Sequence, residues 1–200
     1  MNYSICVSGA ASGKTVKSSY ELAARLGTAI AKAGHTLTTG ATVGLPYHAA
    51  RAATEAKGMS IGFSPASSLR EHLYKYRLPI EVYDFVNFTG MHYVGRDIHL
   101  VQSSDAIITV GGRFGSLHEF TTAMESQMPC GVLIGSGGTA DIIPELMERL
   151  EPPSRKYLIL DDDPERLVKK VIAMLDEETK DIDLTDAISK WYMKDNQHSG

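Results

Sequence analysis

The chain has 200 residues, 43% hydrophobic and 22% charged, with a formal net charge of −4. These are ordinary globular values for about one domain, enough to bury a core without disulfide staples. The weakly acidic balance excludes the global basic field of a nucleic-acid binder, and no nucleic-acid partner is expected. Charge is uneven: residues 161–200 hold eleven acids and six bases, which predicts a solvated helix and tail. No apolar run approaches the roughly 18 residues of a membrane span. The N-terminus lacks the charged and apolar regions of a secretion signal. A cytoplasmic protein without a membrane partner is expected. Cys6 and Cys130 lie in apolar, strand-like runs and are expected as buried thiols.

In chain order, "YSICVS" (3–8) predicts a strand and residues 19–34 a helix, with Leu22, Leu26, Ala29, Ile30 and Ala33 on one face. "HTLTTG" (35–40) is a strand, and 45–58 a helix with Pro46 near its start. Strands follow over 59–65 and 79–86, then a helix over 91–104. The strand "DAIITVGG" (105–112) leads into a helix over 116–127. A strand over 130–135, a helix over 139–150, a strand over 156–160 and a helix over 164–175 complete the body. Alternating strands and helices with near-continuous apolar strands predict a doubly wound, Rossmann-like α/β fold: a parallel sheet with helices on both faces. One nucleotide-binding domain is expected over 1–175. Residues 176–200 are read as a polar terminal helix around Trp191 and Tyr192, or a tail.

Ligands of such sheets bind beyond the strand C-termini, near a topological switch point. Three glycine-bearing stretches stand at strand ends: "SGAASG" (8–13), "TGATVG" (39–44) and "GGRFGS" (111–116). The first invites comparison with a P-loop, but the glycine required at position 8 is a serine. An ATP-binding site around Lys14, with "YLILDDD" (157–163) as its acidic partner, is a distant alternative. Ser8, Gly9 and Ser12 read better as a small-residue loop admitting a ligand to the sheet edge. Gly40 is the ligand-side glycine of the second stretch.

In the third, a strand ends at Val110, and Gly111, Gly112 and Gly115 allow tight turns and close backbone approach. Ser116 is expected at the N-cap or first turn of the next helix, whose free N–H groups suit a phosphate. Arg113 either reaches that phosphate or points outward. Glu119 is placed in the first turn; local physics favours a capping-box partner of Ser116.

"GGRFGSLHE" (111–119) resembles the Gly-Gly-x-Gly-Thr-x-x-Glu motif of the LOG-like family. That family is named for cytokinin-activating phosphoribohydrolases and was long labelled possible lysine decarboxylase. Where the family has an upstream Met-His-x-Arg-Lys or similar piece, this chain has "MHYVGRD" (91–97), which sets Arg96 23 residues before Glu119. "VGRDIHLVQSSDAIITVGG" (94–112) is also similar to the molybdenum-cofactor carrier branch, and "TTGATVGLPYHAARAA" (38–53) to a loop and helix both branches share. Departures are Ser116 for threonine, Asp97 after the arginine, Val110 for proline, and Arg113 inside the loop. The resemblance covers roughly residues 3–175. It implies hydrolysis of the N-glycosidic bond of a nucleoside 5′-monophosphate, or, alternatively, non-catalytic nucleotide or pterin-cofactor carriage. It also implies a homodimer. Arg96 and Glu119 would be catalytic, Glu119 stabilising the oxocarbenium-like ribose and activating water. Ser8, Gly9, Gly40, Gly111, Gly112, Arg113, Gly115 and Ser116 would bind nucleotide and phosphate, and Met91 would border the base. Asp97 is expected as a structural partner of Arg96.

No metal is expected: His92 and His99 are seven residues apart, and no His-Glu-x-x-His occurs. No lysine sits in a recognisable PLP-binding setting, and no cofactor is expected. His118 is not paired with Glu119, because helix neighbours point about 100° apart. "HLYKYRLPIEVYDFVNF" (72–88) is read as strand plus loop.

Overall fold

The computed structural model describes residues 1–150 and 155–183. The strands are β1 (Ser4–Gly9), β2 (Thr36–Thr39), β3 (Ser60–Ser64), β4 (Phe85–Phe88), β5 (Ala106–Val110), β6 (Cys130–Leu133) and β7 (Leu158–Asp161). The helices are α1 (Lys14–Lys32), α2 (Leu45–Glu55), α3 (Leu69–Tyr74), α4 (His92–Gln102), α5 (Phe114–Glu125), α6 (Thr139–Arg149) and α7 (Pro164–Thr179). All strand pairs are parallel, in the order β4-β3-β2-β1-β5-β6-β7. The fold is the Rossmann-like α/β sheet the alternation predicts. The chain winds outward from β1 to β4, crosses back through α4, and winds the other way from β5. The switch point therefore lies between β1 and β5, where Gly9 pairs with Val110.

Two cores follow from the period-2 alternation of the strands. Ile5, Val7, Ile108 and Val110 face Leu26, Ile30, Ala49, Ala53, Leu167 and Val171, in the layer of α1, α2 and α7. Cys6, Ile107 and Cys130 face Leu100, Phe120, Ala123 and Ile143, in the layer of α4, α5 and α6. Both cysteines are free and buried, and burial pushes both thiols up. The α1–α2 contact depends on Gly27, where an added Cβ would lie 2.0 Å from the Ala49 carbonyl oxygen. Gly27→Ala gains helix propensity of about 1 kcal/mol but forces two backbones apart. A net loss of about 2 kcal/mol is expected from overpacking, to be checked by urea unfolding; wild-type stability would refute it.

Several elements differ from expectation. The strand predicted over 79–86 is β4, at Phe85–Phe88. Pro79 brings no N–H donor, and the segment after it runs beside α2: the Val82 carbonyl accepts from Thr54, and Glu81 accepts from Tyr47. Pairing with β3 begins only once Asp84 is reached, its N–H donating to the Ser60 carbonyl at 2.8 Å. Helix α3 was not expected, yet "SLRE" (68–71) has the capping-box sequence: Ser68 Oγ accepts from the Glu71 N–H, while Glu71 reaches one residue further back, to the Ser67 N–H. Helix α1 starts five residues earlier than predicted, and α5 two. The predicted role of Trp191 and Tyr192 lies outside the described residues.

Candidate active site at the switch point

A cavity of about 300 Å³ opens at the C-terminal ends of the strands around the switch point. That lies at the lower end for small-molecule sites. Gly9, Gly40, Arg96, Arg113, Gly115, Ser116 and Glu119 of the expected residues line it, together with Ala10, Ser12, Thr42, Pro46, Tyr93 and Asp97. Ser8, Gly111, Gly112 and Met91 are not part of the lining.

The centre is an ion pair. Arg96, from α4, and Glu119, from α5, are 4% and 7% exposed. Arg96 Nη1 stands 3.3 Å from Glu119 Oε1 and 3.4 Å from Asp97 Oδ1. The other Glu119 oxygen accepts from the Ser8 hydroxyl, beneath it on β1. Burial pushes the Glu119 carboxyl up, while the Arg96 charge opposes that shift and Asp97 adds to it. Arg96 Nε is buried and has no hydrogen-bond partner among the described residues. A buried carboxyl with a raised pKa beside a fixed guanidinium suits general acid–base work.

Glu119 is therefore not a capping residue. With α5 beginning at Phe114, Ser116 is the third helical residue and Glu119 lies in the second turn, turned toward the sheet. Gly40 makes room for the arginine: an added Cβ would fall 1.7 Å from Arg96 Nη1. Asp97 also accepts from His118 Nδ1 at 3.0 Å, tying α4 to α5, a contact the sequence did not suggest.

The first turn of α5 faces the cavity and has no side-chain cap; α1, which starts two residues after Ser12, has no side-chain cap either. Elsewhere Ser68 and Asp163 cap α3 and α7. Gly111 and Gly112 serve another helix: their carbonyls accept from Ala140 and Thr139 at the start of α6, and the Gly111 N–H donates to Ser136 Oγ. Arg113 spans the mouth, donating from Nη1 to Ser12 Oγ at 3.0 Å. Met91 is exposed, its sulfur 2.7 Å from His99 Nε2. Two residues, Arg113 and Phe114, separate the glycine pair from Gly115, one more than in the Gly-Gly-x-Gly motif. The P-loop alternative has no support: Lys14 is exposed, and Asp161, on the far side of the sheet, is occupied by Arg166 and Lys170.

Among the described residues, no group of three or more His, Cys, Asp or Glu side chains could hold a metal ion, and no helix is long and apolar enough to cross a membrane.

Fold and site together define a doubly wound sheet protein with a cleft at its switch point, lined by a buried arginine–glutamate pair. The chain belongs to the SLOG cluster4 family, whose model matches residues 2–168. It is 30% identical over 113 residues to an uncharacterized protein of Archaeoglobus fulgidus, covering 56% of this chain and 69% of that one. The X-ray structure of TM1055 is similar with a TM-score of 0.74 at 21% identity, over 86% of this chain and 99% of that chain. The molybdenum cofactor binding protein of Rippkaea orientalis is similar with a TM-score of 0.67 at 25% identity, over 88% and 98%.

Proposed function

We propose that the cavity binds a nucleoside 5′-monophosphate and that the protein hydrolyses its N-glycosidic bond in the cytoplasm. The observation that carries this reading is the buried Arg96–Glu119 pair inside the cleft. The phosphate meets the uncapped first turn of α5, with Ser116 adding a hydroxyl. Arg96 lines the cavity and offers its guanidinium to the anionic ligand. As the bond between ribose C1′ and the base nitrogen breaks, positive charge grows on the sugar, and the Glu119 carboxylate stabilises it. Glu119 takes a proton from the water whose oxygen bonds to C1′, and that proton passes to the nitrogen of the departing base, which leaves neutral and returns Glu119 to its carboxylate. The products are free base and ribose 5-phosphate.

Incubation with AMP, GMP, CMP and cytokinin monophosphates is expected to release free base. Glu119→Gln should lower that turnover by roughly 100-fold or more. Full turnover in the variant removes Glu119 as catalyst; no base from any nucleotide, with binding retained, removes the hydrolase. The second reading, a non-catalytic nucleotide or pterin carrier, is favoured by the likeness to the molybdenum cofactor binding protein. A homodimer is part of the proposal: Met91, Val94 and Ile98 form an exposed apolar stripe along α4 beside the site.

A further inference from the structure

Two features of the cavity wall are not explained by the protein's own packing. Phe114 lines the cavity yet is 89% exposed. Its exposure does not come from a loose loop. The preceding residue, Arg113, is tied to one wall through Ser12 and to another through its carbonyl, which accepts from Thr139 Oγ1 at 2.9 Å. Next to it, Gly115 also lines the cavity. An added Cβ there meets no atom within 4 Å, and its φ is not positive. Neither sterics nor backbone requires glycine, and most residues favour a helix more. Its missing side chain keeps open ground beside Phe114.

A second aromatic ring enters from α4. Tyr93 lines the same cavity and is half exposed. Its ring packs edge-on against Tyr76, with centroids 5.5 Å apart. The residue before it, His92, holds a left-handed φ of 55°. That conformation is disfavoured for a side-chain-bearing residue and is fixed at two points. The Tyr76 hydroxyl lies 2.7 Å from His92 Nδ1, and the His92 N–H donates to the Pro65 carbonyl at 3.1 Å. The backbone at the start of α4 is thus constrained to deliver Tyr93 to the cavity wall.

We propose that Tyr93 and Phe114 are the aromatic walls that hold the flat heterocycle of the ligand, its anionic group lying over Gly115 and Ser116 toward Arg96. The assignment rests on the nucleotide-type site of the preceding section and names its ring-binding residues. Aromatic faces select planar, π-rich rings and tolerate differences in ring edge, which suits a purine or a pterin alike.

Calorimetric binding of AMP, GMP, a pterin phosphate and ribose 5-phosphate tests it, in the wild-type and Glu119→Gln backgrounds so that turnover does not interfere. Phe114→Ala and Tyr93→Ala are each expected to weaken the ring-bearing ligands about tenfold or more and to leave ribose 5-phosphate within about twofold. Gly115→Ala should weaken all of them without lowering Tm. Ring-bearing ligands that bind both alanine variants as they bind wild type overturn the proposal, as does an equal loss for ribose 5-phosphate. A Phe114→Ala variant that dissociates a dimer at unchanged AMP affinity assigns the ring to self-association and overturns it too. Failure of every probe to bind the wild type overturns the nucleotide-type site itself, and the walls with it.

Discussion

Arg96→Met should destabilise the protein strongly at pH 8 and weakly at pH 5. The guanidinium is the cation beside the buried Glu119 carboxyl and also faces Asp97. Removing one partner of a buried pair costs about 3–5 kcal/mol, because the remaining charge is left without compensation. Burial already raises the Glu119 pKa in the wild type, and Arg96 is the main influence pulling it down. Without Arg96 it rises further. The sign follows from linkage: a carboxyl whose folded pKa exceeds its unfolded one favours folding when protonated. That contribution is complete below the unfolded value, near 4.5, and is lost as pH climbs through the folded value. Urea unfolding at the two pH values should show it. Asp97 keeps its contact with His118, so Arg96→Met/Glu119→Gln should recover most of the loss at pH 8. A loss independent of pH, or no recovery in the double variant, would show that the arginine acts through packing alone.

Gly40→Ala should weaken ligand binding strongly while leaving a folded protein. The position carries no positive φ, so alanine brings no backbone penalty there. Its methyl would occupy the space of the guanidinium, 1.7 Å from Nη1 and 2.6 Å from Cζ. The arginine must leave its place against the β2 loop. A charge-assisted contact to an anion is worth about 1.5–3 kcal/mol, so affinity for AMP should fall roughly 10- to 100-fold. Displacement calorimetry reads this directly, and retained far-ultraviolet circular dichroism confirms the fold. Unchanged affinity would mean that Arg96 binds no part of the ligand.

The sheet and its principal helices were legible from apolar runs and periodicity, since each long element is consistent along its length. Two short elements were not. Helix α3 has six residues and β4 four, too few to show a period, although the Ser68–Glu71 signature marked the helix start. The site was half legible. Loops at strand ends gave its location, but the Arg96–Glu119 pairing came from family resemblance; nothing local joins residues 23 apart. Two residues of uncertainty in the start of α5 were enough for local physics alone to favour a cap at Glu119, because the helix phase decides whether a side chain meets solvent or sheet. Gly111 and Gly112 were assigned to phosphate because glycine signals close approach without saying what approaches. Here it is α6. Tyr93 and the Asp97–His118 contact depend on how α4 lies against α5, which no single stretch of sequence encodes.

The uncapped start of α5 has an implication for how this protein can change. Its N-cap residue, Arg113, already has the extended backbone that a capping serine or aspartate adopts, so one substitution would supply a cap and about 1 kcal/mol of stability. The same side chain would claim the N–H groups that face the cleft. At α1 that route is closed by geometry, because Gly13 holds φ at 104°. Selection for robustness and selection for ligand therefore pull residue 113 in opposite directions, and a consensus-based stabilisation of this fold should leave that residue alone.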